Sequence, residues 1–264
     1  MIRKSIFITG AGRGIGKATA KYFASKGWFI GLADISRKEI ETLASELGPD
    51  QCSTHLLDVR NTDQVQQAIQ EFSTRTGGQL NVLFNNAGIV LIGGFENVSL
   101  EQHKAVVDIN FIGQMNVTHI ALPLLKATPK SAIVTMCSAS AIYGNPEITA
   151  YAATKSAVKS LTEGWNMLFQ KYDIHVADLL PAYVKTDMVM DVQDEMKLAD
   201  KNVKLSAEQI AQAVWKAAHS KKMHHYIGTD AKLFRWVKWI APKSLFLAIL
   251  KRGLYKEALR RHKK

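Results

Sequence analysis

The sequence predicts an α/β protein: a doubly wound parallel sheet of about seven strands, in a single domain with a C-terminal helical extension. Three observations point there. Short β-branched or aromatic runs alternate with longer stretches of helical period, the signature of a parallel sheet covered by helices. A glycine-rich turn sits between the first strand and the first helix, at the edge where open parallel sheets bind ligands. The length of 264 residues fits one large domain, and 47% hydrophobic with 22% charged residues and only 6 prolines excludes collagen, disorder and a disulfide scaffold.

The elements follow in chain order. Strand 6–8 is the apolar run Ile6-Phe7-Ile8, and a helical pattern over 15–25 begins where the glycines end. Strand 28–33 leads to Asp34, with helical period over 38–47. Strand 54–57 precedes Asp58-Val59, and 63–72 is helical. Strand 82–84 runs into Asn85-Asn86-Ala87-Gly88, followed by the longest helical pattern, 100–125. Strand 132–136 leads to Cys137-Ser138, and helical period returns over 151–170. Strands 175–179 and 224–227 complete the sheet, the latter after a helical pattern over 207–217. The stretch 188–205, acidic at Asp191, Asp194 and Glu195, is too long for an ordinary connection and is a candidate lid.

The first turn reads Thr9-Gly10-Ala11-Gly12-Arg13-Gly14-Ile15-Gly16. Glycines there permit a tight turn and let backbone N–H groups of the turn and of Ile15 approach a pyrophosphate, favoured by the positive end of the following helix. Asp34 ends the second strand 18 residues beyond Gly16, close to the spacing expected of an acid that accepts hydrogen bonds from the adenosine ribose. Its charge repels a 2′-phosphate, so NAD is expected over NADP, although Arg13 and Arg37 could each serve a 2′-phosphate.

At the other end, Tyr151 and Lys155 are four apart in a helical pattern and share a face. An unperturbed tyrosine, with a pKa of about 10, is a sluggish base, and a neighbouring ammonium favours the phenolate. Ser138 and Asn110 fall near the same strand ends.

With Gly10, Gly14 and Gly16 in the pattern Thr-Gly-x-x-x-Gly-x-Gly, Asn85-Asn86-Ala87-Gly88, and Ser138 13 residues before Tyr151-x-x-x-Lys155, the chain resembles the short-chain dehydrogenase/reductase family over residues 1 to about 230. The resemblance implies a Rossmann-like fold and NAD(P)-dependent oxidoreductase activity. It implies that Tyr151 is the general acid/base, that Ser138 hydrogen-bonds the substrate oxygen, that Lys155 also holds the nicotinamide ribose, and that Asn110 positions a water. Asp58 and Val59 would hold the adenine, and Asn86, Ala87 and Gly88 would line the cofactor site. Pro181, Val184 and Thr186 would flank the nicotinamide, with Thr186 on its carboxamide. Ala182 stands where the family carries glycine, which works against a positive φ there. Homodimers or homotetramers are implied as well.

The expected pocket is apolar, lined by Ile89-Val90-Leu91-Ile92, Ile142, Tyr143, Tyr183, Met188 and Met190, so the expected substrate is a small lipophilic alcohol, ketone or aldehyde. The alternatives are an NADPH-dependent carbonyl reductase and a non-catalytic nucleotide-sensing scaffold that recruits partners through its tail. No metal is expected, because His224 and His225 are adjacent on a strand and point to opposite faces. Two cysteines, Cys52 and Cys137, and no N-terminal run long enough for a signal peptide predict a cytoplasmic protein.

Net charge is +11, and the segment 231–264 carries +10 of it, eleven bases against Glu257, so 1–230 is read as the dinucleotide-binding and catalytic domain and 231–264 as a basic extension. Leu233, Trp236, Val237 and Ile240 recur at i, i+3, i+4 and i+7, an amphipathic helix that Pro242 breaks before a second basic helix from Ser244. Four interruptions within 233–250 leave no membrane span, which takes about 20 apolar residues. Three readings stay open for this extension. It packs over the substrate pocket or a neighbouring subunit, or it attaches peripherally to a membrane with Trp236, Trp239 and Phe246 at headgroup level. Nucleic-acid binding is the third and is not expected, since a basic patch alone is non-specific.

Overall fold

The computed structural model describes residues 3–182, 184–185 and 205–250. Strands β1 (Ser5–Thr9), β2 (Phe29–Asp34), β3 (Cys52–Leu56), β4 (Val82–Asn85), β5 (Ala132–Met136) and β6 (His175–Pro181) alternate with helices α1 (Gly14–Ala24), α2 (Arg37–Leu47), α3 (Thr62–Thr76), α4 (Leu100–Val107), α5 (Gly113–Ala127) and α6 (Thr149–Phe169). A two-residue pair, β7 (Val184–Lys185) with β8 (Leu205–Ser206), precedes α7 (Ala207–Ala218), β9 (His224–Ile227), α8 (Thr229–Ile240) and α9 (Lys243–Leu250). Seven strands form one sheet in the order β3-β2-β1-β4-β5-β6-β9. Every pairing is parallel. The order reverses between β1 and β4, so a crevice opens at their carboxyl ends.

Both faces of the sheet are buried, and side-chain alternation divides the core in two. Ile6 and Ile8 pack with Phe23, Ile40, Leu43, Ile210 and Val214 from α1, α2 and α7. Phe7, between them, packs on the opposite face with Ile69, Phe72, Val117 and Leu125 from α3 and α5.

Three boundaries depart from the expected ones for physical reasons. β3 starts at Cys52, whose buried side chain and pairing with Ile30 outweigh the polar run that follows. The 100–125 pattern is two helices joined by a π-helical turn, Asp108–Ile112, and a local insertion of that kind leaves the apolar period nearly intact. The stripe Leu233, Trp236, Val237, Ile240 does form a helix, but the side packed inward is a different one. Ala231 and Phe234 meet Ala139, Ile142 and Tyr143, because a small residue lets the helix approach closely. Thr186, Tyr183, Met188, Met190, the candidate lid from 188 to 204 and residues 251–264 lie outside the described residues.

Candidate active site

A cavity of about 370 Å³ runs along the carboxyl edge of the sheet. Of the residues singled out in the sequence, Gly10, Arg13, Gly14, Ile15, Asp34, Asp58, Val59, Asn86, Ala87, Gly88, Ser138, Tyr151, Lys155, Pro181 and Val184 stand on its wall. Gly12, Gly16 and Asn110 are not on the wall.

The glycine turn is shaped for close approach. Gly10 and Gly14 have φ of 67° and 52°, and a Cβ on Gly16 would lie 1.9 Å from the Gly10 carbonyl oxygen. α1 opens at Gly14 with no side-chain cap and no acid in its first turn, so its N–H groups face the cavity end with nothing anionic to compete. A cradle of this form fits a pyrophosphate. Asp34 fastens it: one carboxylate oxygen accepts from Gly12 N at 2.9 Å and the other from Ser36 N at 3.0 Å. Thr9 fastens it from the other side, its hydroxyl accepting from Asn86 N at 3.0 Å and Ala87 N at 3.1 Å, while the Asn86 amide donates to Thr9 O and Gly10 O. Farther along, Asp58 is clasped by the Arg60 guanidinium at 2.6 Å, which holds its carboxyl below the usual range. Arg37 pairs with Glu41 on its own helix and is absent from the wall, whereas Arg13 is exposed on it.

At the reacting end, β5 ends at Met136 and delivers Ser138, and the first turn of α6 brings Tyr151 opposite it. The two side chains hydrogen-bond, and the Ser138 hydroxyl also accepts from Ser140 N at 3.1 Å. Burial pushes the Tyr151 phenol up to about 12, partly offset by the Ser138 bond. Lys155, 2% exposed, donates to the Met136 carbonyl at 2.7 Å and lies 5.5 Å from the Tyr151 ring centroid. Burial lowers its ammonium to about 8. The expected lowering of Tyr151 by Lys155 is therefore not found: the ammonium is committed to Met136, and desolvation dominates both groups. A neutral phenol held against a hydroxyl, beside a cation, can hand a proton to an oxygen in the cavity.

Asn110 lies in the π-helical turn, fully buried, and its amide makes two 2.8 Å bonds with Ile89, accepting from N and donating to O. It thereby holds the Gly88-Ile89 stretch of the wall. Asn110→Ala is expected to strand both backbone groups and cost about 1–3 kcal/mol, read as a lower urea midpoint. Pro181 and Ala182 close the site, and Ala182 is not among the described residues with positive φ. The apolar wall is Ile89, Val90, Ile109, Ile148, Ala182, Ala231 and Phe234, with Tyr143 between them. Leu91, Ile92 and Ile142 do not reach it.

The sequence reading missed Thr9 as a clamp, although it lies inside the quoted motif. Asn85, inside its own quoted motif, donates its amide to Thr118 at 2.8 Å, and the sequence reading missed the chain in which His224 bonds Asp178 at 2.9 Å and Glu163 at 3.1 Å. Among the described residues no group of three or more His, Cys, Asp or Glu is placed to hold a metal ion.

Comparison with known proteins agrees with this geometry. The short chain dehydrogenase family profile matches residues 4–197. The chain is 32% identical to the 3-oxoacyl-[acyl-carrier-protein] reductase FabG of Thermotoga maritima over 196 residues, 74% of this chain and 79% of that one. It is 37% identical to the oxidoreductase UcpA of Salmonella typhimurium over 192 residues, 72% of each. A crystal structure of a short chain dehydrogenase/reductase from Burkholderia phymatum in complex with NAD superposes with a TM-score of 0.81 at 24% identity, covering 88% of this chain and 92% of that one, a likeness of fold. With the profile spanning most of the sequence and the motif residues gathered on one cavity wall, the chain belongs to the short-chain dehydrogenase/reductase family of oxidoreductases.

Proposed function

We propose that the protein is an NAD(H)-dependent alcohol dehydrogenase or carbonyl reductase acting on a lipophilic alcohol, ketone or aldehyde, with Tyr151 as general acid/base. The observation that carries this reading is one cavity whose wall holds Gly10 and Asp34 of the cradle together with Ser138, Tyr151 and Lys155 and the apolar Val90, Ile148 and Phe234.

Bound nicotinamide would supply or accept the hydride, and the protein contributes orientation and acid/base help. Asp34 would take the adenosine ribose, the glycine turn the pyrophosphate, Asp58 and Val59 the adenine, and Asn86, Ala87, Gly88, Pro181, Val184 and Thr186 the nicotinamide side. Ser138 orients the substrate oxygen toward Tyr151. At neutral pH a phenol at about 12 is protonated, so reduction, in which Tyr151 donates, is the direction in which the free chain is poised. Oxidation requires the phenolate and should quicken as pH rises. Lys155, positive below about 8, would bond the ribose. Exposed Val107, Met167 and Leu168 on α4 and α6 offer apolar area to the expected homodimer or homotetramer.

Support for NAD over NADP comes from the Asp34 carboxylate on the wall and from Arg37 being engaged by Glu41. Arg13 on the same wall is the observation that favours NADPH. Asp34→Asn keeps an acceptor for the Gly12 amide while removing the charge, so it should shift the ratio of kcat/KM for NADH over NADPH by about tenfold toward NADPH. Side-by-side kinetics with both cofactors and a panel of lipophilic ketones tests the reading. Preference of the unaltered chain for NADPH would reverse the cofactor assignment, and turnover confined to small charged carbonyls would reverse the substrate class.

A further inference from the structure

We infer that the outer face of α8 and α9 is a docking surface for anionic phospholipid membrane, which sets the cavity behind α8 close to the bilayer. Five of the twelve large apolar side chains exposed among the described residues lie on these two helices. Leu233, Trp236 and Ile240 of α8 are 61%, 58% and 67% exposed, Trp239 beside them is 80% exposed and Leu245 of α9 is 53% exposed, whereas Phe246, expected at headgroup level, is buried. Side chains of this size gathered on one face mark an interaction site, whereas single exposed apolar residues need no explanation. Trp236 and Trp239 sit edge to face with centroids 6.0 Å apart, and indoles prefer the boundary between hydrocarbon and water.

The inner side of the same helix is committed to the protein. Ala231 is fully buried, Phe234 meets Tyr143 at 5.2 Å, Lys238 donates to the Ile142 carbonyl, and Arg235 lies over the Tyr226 ring at 4.8 Å. Turning the helix to hide the tryptophans would expose this packing, so the outward pose is the one the fold supports.

Charge selects the occupant. Lys232, Arg235 and Lys238 of α8 are exposed, against Asp230 as the one acid of that helix. A second copy of the same surface would meet like charge with like charge. An anionic bilayer meets it with opposite charge, and a helix of 12 residues, about 18 Å long, lies in the interface plane instead of crossing it. No helix among the described residues is long and apolar enough to span a membrane. Asp230, Ala231 and Phe234 line the cavity from the other side of α8, so in a docked molecule the cavity would lie one helix away from the lipid. The value of that position for a substrate that partitions into lipid rests on the substrate class proposed above. The docking itself does not.

Vesicle flotation of the full chain, with phosphatidylcholine vesicles with and without phosphatidylserine, tests the inference independently of turnover. The expected result is binding that requires phosphatidylserine and weakens in high salt without vanishing, because the apolar part is not screened. Trp236→Ala with Trp239→Ala should lower the partition coefficient by about tenfold or more, since two interfacial indoles are lost. Leu56→Ala, on the distant edge strand, should leave it unchanged. In the unaltered chain, brominated acyl chains should quench part of the tryptophan emission, a readout that holds even if the double variant fails to fold. Absence of binding to phosphatidylserine vesicles at low salt, absence of quenching, or unchanged binding by a folded double variant would overturn the proposal. So would sedimentation showing that the two tryptophans hold a second copy of the chain.

Discussion

Tyr151→Phe is expected to cut kcat by about 100-fold or more while leaving the dissociation constant for NADH nearly unchanged, as the loss of a single positioned proton donor predicts. The variant keeps the ring that forms part of the cavity wall and removes only the hydroxyl that meets Ser138. The pKa of that hydroxyl is pushed up to about 12, so the acid is held in its neutral, donating form throughout the useful pH range. In the oxidative direction, the rate of the unaltered enzyme should still be rising at the highest pH the fold tolerates, and the variant should lose that rise. Turnover near that of the unaltered chain would remove Tyr151 from the chemistry.

Lys155→Met is expected to lower kcat/KM by a comparable factor and, unusually for a core substitution, to raise stability. Lys155 is 2% exposed, and its ammonium is satisfied by Met136 O, while the nearby Cys137 thiol favours its charge without outweighing the burial. Its folded pKa of about 8 lies below the ordinary 10.5. Below about 8 both folded and unfolded chains carry the proton, and the full cost of burying the charge, on the order of 3 kcal/mol, opposes folding. Between about 8 and 10.5 the unfolded chain binds more protons, so stability rises with pH, and above that interval the cost is gone. Methionine fills similar volume without the charge, although it leaves Met136 O to find another donor. Thermal denaturation at neutral pH should therefore show a gain of about 1–3 kcal/mol, shrinking toward pH 10. Such a gain beside lost turnover would mark Lys155 as a residue retained for function at the expense of stability. A destabilised variant at every pH would contradict this account of the site.

Much of the fold was legible because its signals are local. Ile6-Phe7-Ile8 before a glycine turn, and Asp34 at the end of the next run, describe a strand, a turn and a second strand without any long-range information. The seven sheet strands fall where the apolar runs are, with ends moved by a residue or two. β6 runs two residues past Leu179 because Leu180 and Pro181 pair with Tyr226 and Ile227 of β9, a partner 46 residues away. The wall residues Gly10, Asp34, Ser138 and Tyr151 were legible by the same logic, each sitting just beyond a strand or at a helix start.

What was not legible depends on contacts between distant segments. Asn110 can be placed on a helix by its period, but that its amide binds Ile89 depends on how β4 and the π-helical turn meet. Asp178, His224 and Glu163 look like scattered polar residues until β6 and β9 become neighbours under α6. Periodicity identified the stripe on α8 but could not say which side turns inward. Ala231, opposite the large residues, decides it by letting the helix sit against Ala139 and Ile142. The shift of Tyr151 went the other way from the sequence argument, because spacing shows that Lys155 shares its face but not that Met136 O takes the ammonium.

The most direct test of the central claim is a single-turnover experiment in which NADH carrying deuterium at both positions of its reactive carbon is mixed with the enzyme and a lipophilic ketone, and the alcohol is weighed by mass spectrometry. The account predicts one deuterium on the carbinol carbon at a rate that falls about 100-fold or more in Tyr151→Phe. Alcohol without deuterium, or equal rates in the two proteins, would contradict it.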